Sequence, residues 1–306
     1  IFPYWRNIIL NIFEKVLSKE QIFINEPMKK HTTFKIGGNA DILILPYTLE
    51  QIIECIQICE QNNIEYYIIG NGSNLLVSDK GFRGVIIKLF KNFNKIELDK
   101  NIIKVQSGAT LSAIAKKAYD NSLKGFEFAS GIPGTIGGGV CMNAGAYGGE
   151  LKDVIKQVTV LENNKVTILN NKECEFEYRN SKILRNKLIV LEVLIELEQG
   201  GKDEILAKMK QNNKTRNEKQ PIEYPSAGST FKRPPNNFAG KLIMEAGLAG
   251  KTIGGACISK KHCGFIINNG NATCKDVLDL ADFACKEVKN KFNINLEKEI
   301  RVIGES

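Results

Sequence analysis

The chain has 306 residues, of which 43% are hydrophobic and 25% charged, so it has the composition of a globular protein and the length of about two domains. No stretch approaches the ~18 consecutive apolar residues of a membrane-spanning helix, so no membrane partner is indicated. The net charge of +8 suits either a lysine-rich solvated surface or a field that attracts phosphorylated small ligands, and without basic runs interleaved with aromatic residues it does not indicate nucleic acid.

The first 24 residues are predicted to form an N-terminal helical segment. Charges occur early in it and no small-residue cleavage site follows, so it is not typical of a secretory signal peptide. The eight cysteines include no Cys-x-x-Cys pair, and the two histidines lack the spacing of zinc ligands. We therefore expect a cytoplasmic protein with free thiols and no metal site.

Hydrophobic periodicity predicts both helices and strands in the first 200 residues. A helix over residues 48–63 begins with a capping box at Thr48 and Gln51. Its apolar stripe consists of Leu49, Ile52, Ile53, Ile56 and Cys59. The elements predicted after it are strands over 65–69 and 85–89, a helix that begins at Thr110, a hairpin of 157–161 with 165–169 across Asn163-Asn164, and a strand over 187–198.

The character of the sequence changes after Gly200-Gly201, which predicts a domain boundary near residue 200. The elements predicted beyond it are a lysine-rich helix over 202–217, a helix over 238–246, a helix over 276–291 that is opened by a cap of Thr273 with Asp276, and a final strand over 296–304. Alternation in the final strand would place Glu297, Glu299, Arg301 and Ile303 on one face. The complete pattern is α+β with two lobes.

Two glycine-rich segments, residues 67–76 and 129–139, are candidates for ligand binding. Backbone N–H groups in such turns can approach an anion closely, because glycine has no β-carbon and readily adopts positive φ. Their spacing favours a diphosphate-bearing ligand, with two simple tight turns as the alternative. The first segment lacks the third glycine of a Rossmann fingerprint, and residues 245–252 lack the first glycine and the preceding strand of a P-loop.

Several motifs, in this order along the chain, resemble those of the UDP-N-acetylenolpyruvoylglucosamine reductases. They are TFKIGG (33–38), GNGSN (70–74), SGIPGTIGG (130–138), NAGAYG (143–148), YRNS (178–181), YPSAGSTFKRP (224–234) and LEKEIR (296–301). The resemblance extends over residues 25–304. It implies a non-covalently bound FAD and NADPH as the co-substrate.

The resemblance also implies a fold. We expect a two-part FAD-binding domain of the vanillyl-alcohol-oxidase (PCMH) type and a smaller α+β substrate-binding domain. The FAD-binding domain is predicted over residues 25–199, with lobes at about 25–90 and 91–199. The substrate-binding domain is predicted over 200–295, followed by a C-terminal strand over 296–306 that returns to the active site.

By the same resemblance, Arg179, Ser229 and Glu299 are the catalytic positions. Arg179 would hold a carboxylate, Ser229 would donate a proton, and Glu299 would orient or polarise the intermediate. The implied FAD-binding positions are Gly70, Asn71, Gly72, Ser73, Asn74, Leu75, Ser130, Gly131, Ile132, Pro133, Gly134, Gly137, Gly138, Asn143, Gly145 and Ala146. We expect substrate contacts at Tyr178, Arg216, Lys232 and Lys241, with a solvated surface lysine as the equal alternative for Lys241.

The activity implied by the resemblance is the reduction of the enolpyruvyl ether of UDP-N-acetylglucosamine to UDP-N-acetylmuramate by NADPH through FAD, in peptidoglycan precursor synthesis. No obligate protein partner is implied. No tyrosine lies between Tyr178 and Tyr224, so the chain resembles the branch of the family that lacks a tyrosine-bearing lid. The alternatives are another flavoprotein of this fold that oxidises an alcohol or sugar, and a nucleotide-binding module without catalytic activity.

Overall fold

The computed structural model describes residues 10–305, so the first nine residues of the predicted N-terminal helical segment lie outside the described residues. Two compact units divide the described chain. The first unit contains residues 10–24, 42–71 and 84–216. The second unit contains residues 25–41, 72–83 and 217–305.

These units differ from the predicted segments. Residues 25–41 and 72–83, which the prediction assigned to the FAD-binding domain, belong to the second unit, and the main division follows Arg216. A single helix continues from Lys202 to Lys219, so the change of composition at Gly200-Gly201 marks the start of a helix and not the division between the units.

The strands, in chain order, are β1 (Ile22–Pro27), β2 (Asn39–Ile44), β3 (Tyr66–Ile69), β4 (Leu75–Val77), β5 (Phe82–Lys88), β6 (Ile96–Asp99), β7 (Ile102–Gln106), β8 (Leu123–Lys124), β9 (Gly145–Ala146), β10 (Gly149–Glu150), β11 (Ile155–Glu162), β12 (Lys165–Asn170), β13 (Ile189–Glu196), β14 (Glu198–Gln199), β15 (Thr252–Ile253), β16 (Ala256–Ile258), β17 (Ile266–Asn268) and β18 (Arg301–Ile303). The helices are α1 (Leu49–Gln61), α2 (Leu111–Asp120), α3 (Ile136–Cys141), α4 (Lys182–Arg185), α5 (Lys202–Lys219), α6 (Ala239–Glu245) and α7 (Cys274–Phe292). None of the helices among residues 10–305 is both long and apolar enough to cross a membrane.

The larger sheets have the strand orders β1-β2-β5-β3 and β12-β11-β13-β7-β6. Helix α1 forms where it was predicted, because the Thr48 side chain accepts the Gln51 N–H at 3.2 Å and Ile52, Ile56 and Cys59 of the predicted stripe are buried. The reciprocal half of the predicted capping box does not form, since the Gln51 side chain accepts the Tyr47 N–H. The predicted hairpin is confirmed as β11 and β12, which are joined by Asn163 (φ 49°) and Asn164 (φ 59°). Two consecutive positive φ angles are typical of a type I′ turn, which matches the twist of the paired strands.

The second unit has its own apolar core. It contains the sheet β15-β16-β17 and helix α7, which buries its apolar face completely at Val277, Leu280 and Ala281. Burial of the larger two side chains, Val277 and Leu280, stabilises the fold by roughly 1.5–3 kcal/mol each. The predicted capping box at the start of α7 is present, with the Thr273 side chain accepting the Asp276 N–H at 3.0 Å.

The predicted C-terminal strand is wrong in its length and in its alternation. Only Arg301–Ile303 is a strand, and it pairs in parallel with β4. Residues 297–299 pair instead with the segment after Ser229, through the Lys232 N–H to Glu297 carbonyl and the Glu299 N–H to Thr230 carbonyl bonds, both 2.8 Å. The change of partner between these stretches interrupts the regular pleat, so period-2 alternation is lost.

Asp79 caps the first turn of α7 from a distant part of the chain. Its carboxylate accepts the Cys274 N–H at 2.7 Å and the Lys275 N–H at 3.0 Å. These N–H groups have no intrahelical acceptor, and a negative charge at this end also interacts favourably with the helix dipole.

We expect Asp79→Ala to lower the free energy of unfolding by about 1–2 kcal/mol, because two N–H groups lose their acceptor. The matched control is Asp279→Ala, on the same helix, which removes only an exposed ion pair with Lys275 and should cost less than about 0.5 kcal/mol. Urea unfolding followed by circular dichroism measures both. Equal losses for the two variants would contradict the capping role.

Candidate functional site

The two glycine-rich segments predicted from the sequence approach each other within the first unit. The Asn71 side-chain amide donates to the Pro133 carbonyl at 2.6 Å. A β-carbon on Gly70 would collide with the Thr135 side chain. Only glycine therefore allows this close approach at position 70.

The second glycine-rich loop leads into the short helix α3. Thr135 caps the helix, and the Gly137 N–H donates to the Ser107 carbonyl at 2.9 Å. A β-carbon on Gly137 would lie 2.8 Å from the Ser107 β-carbon. Among the residues that the structure describes, the Ser107 hydroxyl is the one buried side-chain oxygen or nitrogen without a hydrogen-bond partner.

Several backbone N–H groups of these loops have no protein acceptor among residues 10–305, including those of Asn71, Gly131 and Gly134. Small residues and unpaired N–H groups together form the kind of cradle that binds a phosphate or diphosphate. The residues present therefore fit the dinucleotide FAD. Sequence reasoning missed Ser107, whose only signal was its small size beside Gly108, and it gave no separate role to Thr135 within the segment 129–139.

Other predicted cofactor positions form hydrogen bonds within the protein. The Ser130 hydroxyl donates to the Glu127 carbonyl at 2.9 Å. Asn143 is completely buried, and its side-chain amide bonds to Glu150, Glu177 and Lys152. Gly145 and Ala146 lie in the β9–β10 hairpin.

Arg179 lies near the tip of a tight turn in the first unit. The Glu177 and Asn180 backbones bond to each other in both directions, and Arg179 has a φ of 55°. A non-glycine residue in this left-handed region is strained, and such residues are concentrated at functional sites. The guanidinium donates from Nη2 to the Gly145 carbonyl at 3.2 Å, and its Cζ lies 5.3 Å from the centroid of the Tyr178 ring.

Arg216 is a half-buried arginine on α5. Its Cδ and the Asn213 Oδ1 lie 3.3 and 2.8 Å from the position that a β-carbon on Gly131 would occupy. Burial lowers the pKa of the Arg216 guanidinium, and the nearby Tyr147 opposes that effect. No carboxylate among residues 10–305 pairs with it, so a ligand anion could compensate for its lost hydration.

The rest of the first glycine-rich segment, from Gly72 onward, lies in the second unit and contacts the C-terminal segment there. Gly72 has a φ of 66°, a conformation that favours glycine. The Asn74 side-chain amide donates to the Glu299 carbonyl at 3.2 Å, and the Asn74 carbonyl accepts the Arg301 N–H at 2.9 Å. Leu75 is the first residue of β4.

Ser229 and Glu299 are brought onto adjacent segments of the second unit. The link between them is Thr230, which is only 1% exposed. Its carbonyl accepts the Glu299 N–H at 2.8 Å, its N–H donates to the Gly264 carbonyl at 2.8 Å, and its hydroxyl accepts the Ile266 N–H at 2.9 Å. Thr230 is a position that sequence reasoning missed, because its partners are distant in sequence.

The two predicted substrate lysines differ in their surroundings. Lys232 forms an ion pair with Glu297 at 3.0 Å, with 34% of its side chain exposed. Lys241 is 59% exposed, and its Nζ lies 3.8 Å from the Glu245 carboxylate one helical turn away. Such an exposed pair contributes little energy, so the surroundings of Lys241 favour the surface alternative.

Comparison with known proteins places this architecture in a family. Residues 220–303 match the UDP-N-acetylenolpyruvoylglucosamine reductase C-terminal domain family, and residues 40–169 match an FAD-binding domain family. A UDP-N-acetylenolpyruvoylglucosamine reductase from Caldanaerobacter subterraneus subsp. tengcongensis is 52% identical over 299 residues, which cover 97% of this chain and 99% of the relative. This chain belongs to the UDP-N-acetylenolpyruvoylglucosamine reductase family.

A second relative of the same name, from Clostridioides difficile, is 48% identical over 301 residues, or 98% of this chain and 99% of the relative. The crystal structure of the UDP-N-acetylenolpyruvylglucosamine reductase from Thermus caldophilus superimposes with a TM-score of 0.79 at 34% identity, and the match covers 92% of this chain and 97% of that one. The predicted family and the predicted combination of an FAD-binding domain with a second α+β domain are thus confirmed. Like its relatives, this UDP-N-acetylenolpyruvoylglucosamine reductase family member is an FAD-dependent oxidoreductase.

We expect Thr230→Val to lower the free energy of unfolding by about 1–3 kcal/mol, because the buried Ile266 N–H loses its acceptor while the shape of the side chain is retained. Thr230→Ser keeps the hydroxyl and removes one methyl group, so it should cost only about 1 kcal/mol. Guanidinium unfolding distinguishes the two. A valine variant as stable as the native chain would show that the hydroxyl bond does not contribute.

Proposed function

We propose that the protein reduces the enolpyruvyl ether of UDP-N-acetylglucosamine to UDP-N-acetylmuramate with NADPH, as a cytoplasmic step of peptidoglycan precursor synthesis. Relatives that bear the name of this reductase match the chain over almost its whole length and almost the whole of theirs. The observation that carries the proposal is the pairing of the Ser229 segment with the Glu299 segment. That pairing supports a proton donor and a carboxylate acting on the same reacting group.

Bound FAD would supply the hydride transfer from NADPH to the enolpyruvyl double bond, with its diphosphate held by Gly70, Asn71 and the loop over 130–138. Reduction of that double bond increases negative charge on the adjacent carboxylate. Arg179 stabilises this charge, because its planar guanidinium can bond both carboxylate oxygens and stays protonated. A fixed cation of this kind needs no reorganisation during the reaction.

Ser229 donates the proton that completes the reduction. A hydroxyl is a weak acid, so it can act only toward a strongly basic carbon held within hydrogen-bonding reach. Glu299 orients or polarises the intermediate. Glu297 is the less suitable carboxylate, because it is 73% exposed and already pairs with Lys232.

The remaining substrate contacts are assigned to Arg216, Tyr178 and Lys232. Arg216 has a desolvated guanidinium without a carboxylate partner among residues 10–305, which suits the diphosphate or the carboxylate of the nucleotide sugar. A substrate contact is less well supported for Lys241, because its surroundings are those of a solvated surface lysine. No tyrosine between Tyr178 and Tyr224 is available to cover the substrate, so we expect binding without a tyrosine lid.

We expect Ser229→Ala to leave the reduction of the flavin by NADPH within about twofold of the native rate, and to slow reoxidation by the enolpyruvyl sugar about 100-fold or more. Only the second half-reaction needs the proton. Anaerobic rapid mixing measures the two steps separately, with Ser226→Ala from the same loop as the control. Equal slowing of both halves would contradict the role of Ser229, and rapid reoxidation of the native enzyme by oxygen but not by the sugar would favour the oxidase alternative.

We expect Arg179→Lys to reduce kcat/KM for the enolpyruvyl sugar by about 100-fold, because an ammonium group cannot reproduce the forked contact with a carboxylate. Arg185→Lys is the matched control, since Arg185 pairs with the exposed carboxylates of Glu175 and Glu177 and a lysine can keep such ion pairs. Steady-state kinetics at saturating NADPH gives the comparison. Near-native turnover of Arg179→Lys would show that no bidentate contact is made.

A further inference from the structure

Asn143 is a completely buried asparagine whose side chain bonds in three directions within the first unit. Its Oδ1 accepts the Lys152 N–H at 2.9 Å, and its Nδ2 donates to Glu150 Oε2 and to the Glu177 carbonyl, each at 3.1 Å. Its φ of 43° is left-handed, which asparagine tolerates better than most residues. Both Nδ2 hydrogens are used, so this amide has no donor left for a cofactor.

The bond to Glu177 lies at the base of the turn that carries Arg179. The Glu177 N–H donates to the Asn180 carbonyl at 3.0 Å, and the Asn180 N–H donates back at 3.3 Å. The Glu177 carbonyl therefore accepts from both Asn180 and Asn143. On the far side of the turn, the buried Ser181 hydroxyl donates to the Cys141 carbonyl at 2.7 Å.

The second Nδ2 bond of Asn143 reaches the hairpin that holds the arginine side chain. Glu150 pairs with Gly145 across the β9–β10 ladder, and the Gly145 carbonyl accepts from the Arg179 guanidinium. One amide thus fixes both the backbone beneath Arg179 and the hairpin that its guanidinium contacts. Because Arg179 is in a strained backbone conformation, it persists only where its surroundings hold it in place.

We propose that Asn143 is a positioning residue for Arg179, which keeps the guanidinium in the orientation that receives the substrate carboxylate. The part of the inference that concerns the substrate rests on the proposed function. The mechanical part, that Asn143 holds the turn of Glu177 and Asn180 in place, does not depend on it.

The decisive variant is Asn143→Asp, which keeps the size and shape of the side chain but removes both Nδ2 donors. Alone, it would also place a second carboxylate beside Glu150, and the repulsion could disturb folding. We therefore combine it with Glu150→Gln, whose amide can donate to the new carboxylate. This double variant keeps a contact with the hairpin and replaces the donor to the Glu177 carbonyl by a carboxylate oxygen. It also removes the ion pair of Glu150 with Lys152, so Glu150→Gln alone is measured beside it and should keep the native exchange over residues 177–181.

The matched control is Asn171→Asp in the same unit. The Asn171 amide also donates to two backbone carbonyls, those of Lys152 at 2.8 Å and Ile155 at 2.7 Å. Its loss should destabilise the fold by a similar mechanism without changing the Arg179 turn. Effects specific to Asn143 can thereby be separated from a general loss of stability.

For the double variant we expect the rate of flavin reduction by NADPH to stay within about twofold of the native rate. The rate of reoxidation by the enolpyruvyl sugar should fall by about 5- to 150-fold, which is the range for a coupling that depends on one or two hydrogen bonds. Affinity for UDP-N-acetylmuramate, measured by calorimetry, should fall in the same range. Hydrogen exchange of a peptide spanning residues 177–181 should be faster than native. Asn171→Asp should show none of these changes.

If hydrogen exchange over residues 177–181 is as slow in the double variant as in the native protein, Asn143 does not position the turn. This conclusion holds whatever the activity of the variant. Faster exchange with native reoxidation and native product affinity overturns the link to the substrate carboxylate. If the native protein itself fails to reduce the enolpyruvyl sugar, the proposed function is wrong, and the exchange measurement still decides whether Asn143 holds the turn.

Discussion

The close approach of two backbone turns in the first unit is the constraint on which the candidate site depends. Gly70 can lie against Thr135 only because it has no β-carbon, and the Asn71 to Pro133 hydrogen bond fixes the contact. Once the turns are joined, N–H groups such as those of Gly131 and Gly134 remain without a protein acceptor in the described chain. Unpaired donors are costly unless water or a ligand satisfies them, and a diphosphate is the ligand whose chemistry fits them.

In both units, hydrogen bonds to the backbone hold the segments that carry the candidate catalytic groups. In the second unit, Thr230 bonds to three residues on two other segments and so fixes the residue before it, Ser229. In the first unit, the turn of Arg179 is held at its base in the same way. Each bond contributes only about 1 kcal/mol to stability, yet together they restrict the side chains to the small range of orientations that catalysis needs.

Local features were predictable from the sequence and non-local ones were not. The cap at Thr48, the hairpin turn at Asn163-Asn164 and the capping box at Thr273 each depend on residues a few positions apart. The division into units and the pairing of β4 with β18 depend on partners more than two hundred residues apart, for which hydrophobic periodicity carries no signal. The glycine-rich loops were recognised because their composition is unusual, whereas Ser107 and Thr230 are ordinary residues until their neighbours are known.

The purified protein's absorption spectrum, combined with the amount of FAD released on denaturation, tests the central claim most directly. A cradle of glycines with unpaired N–H groups predicts a yellow protein with the bands of an oxidised flavin and close to one FAD per chain. A folded but colourless protein that takes up no FAD on incubation would contradict the account, because the two turns would then approach each other for a reason unrelated to a dinucleotide.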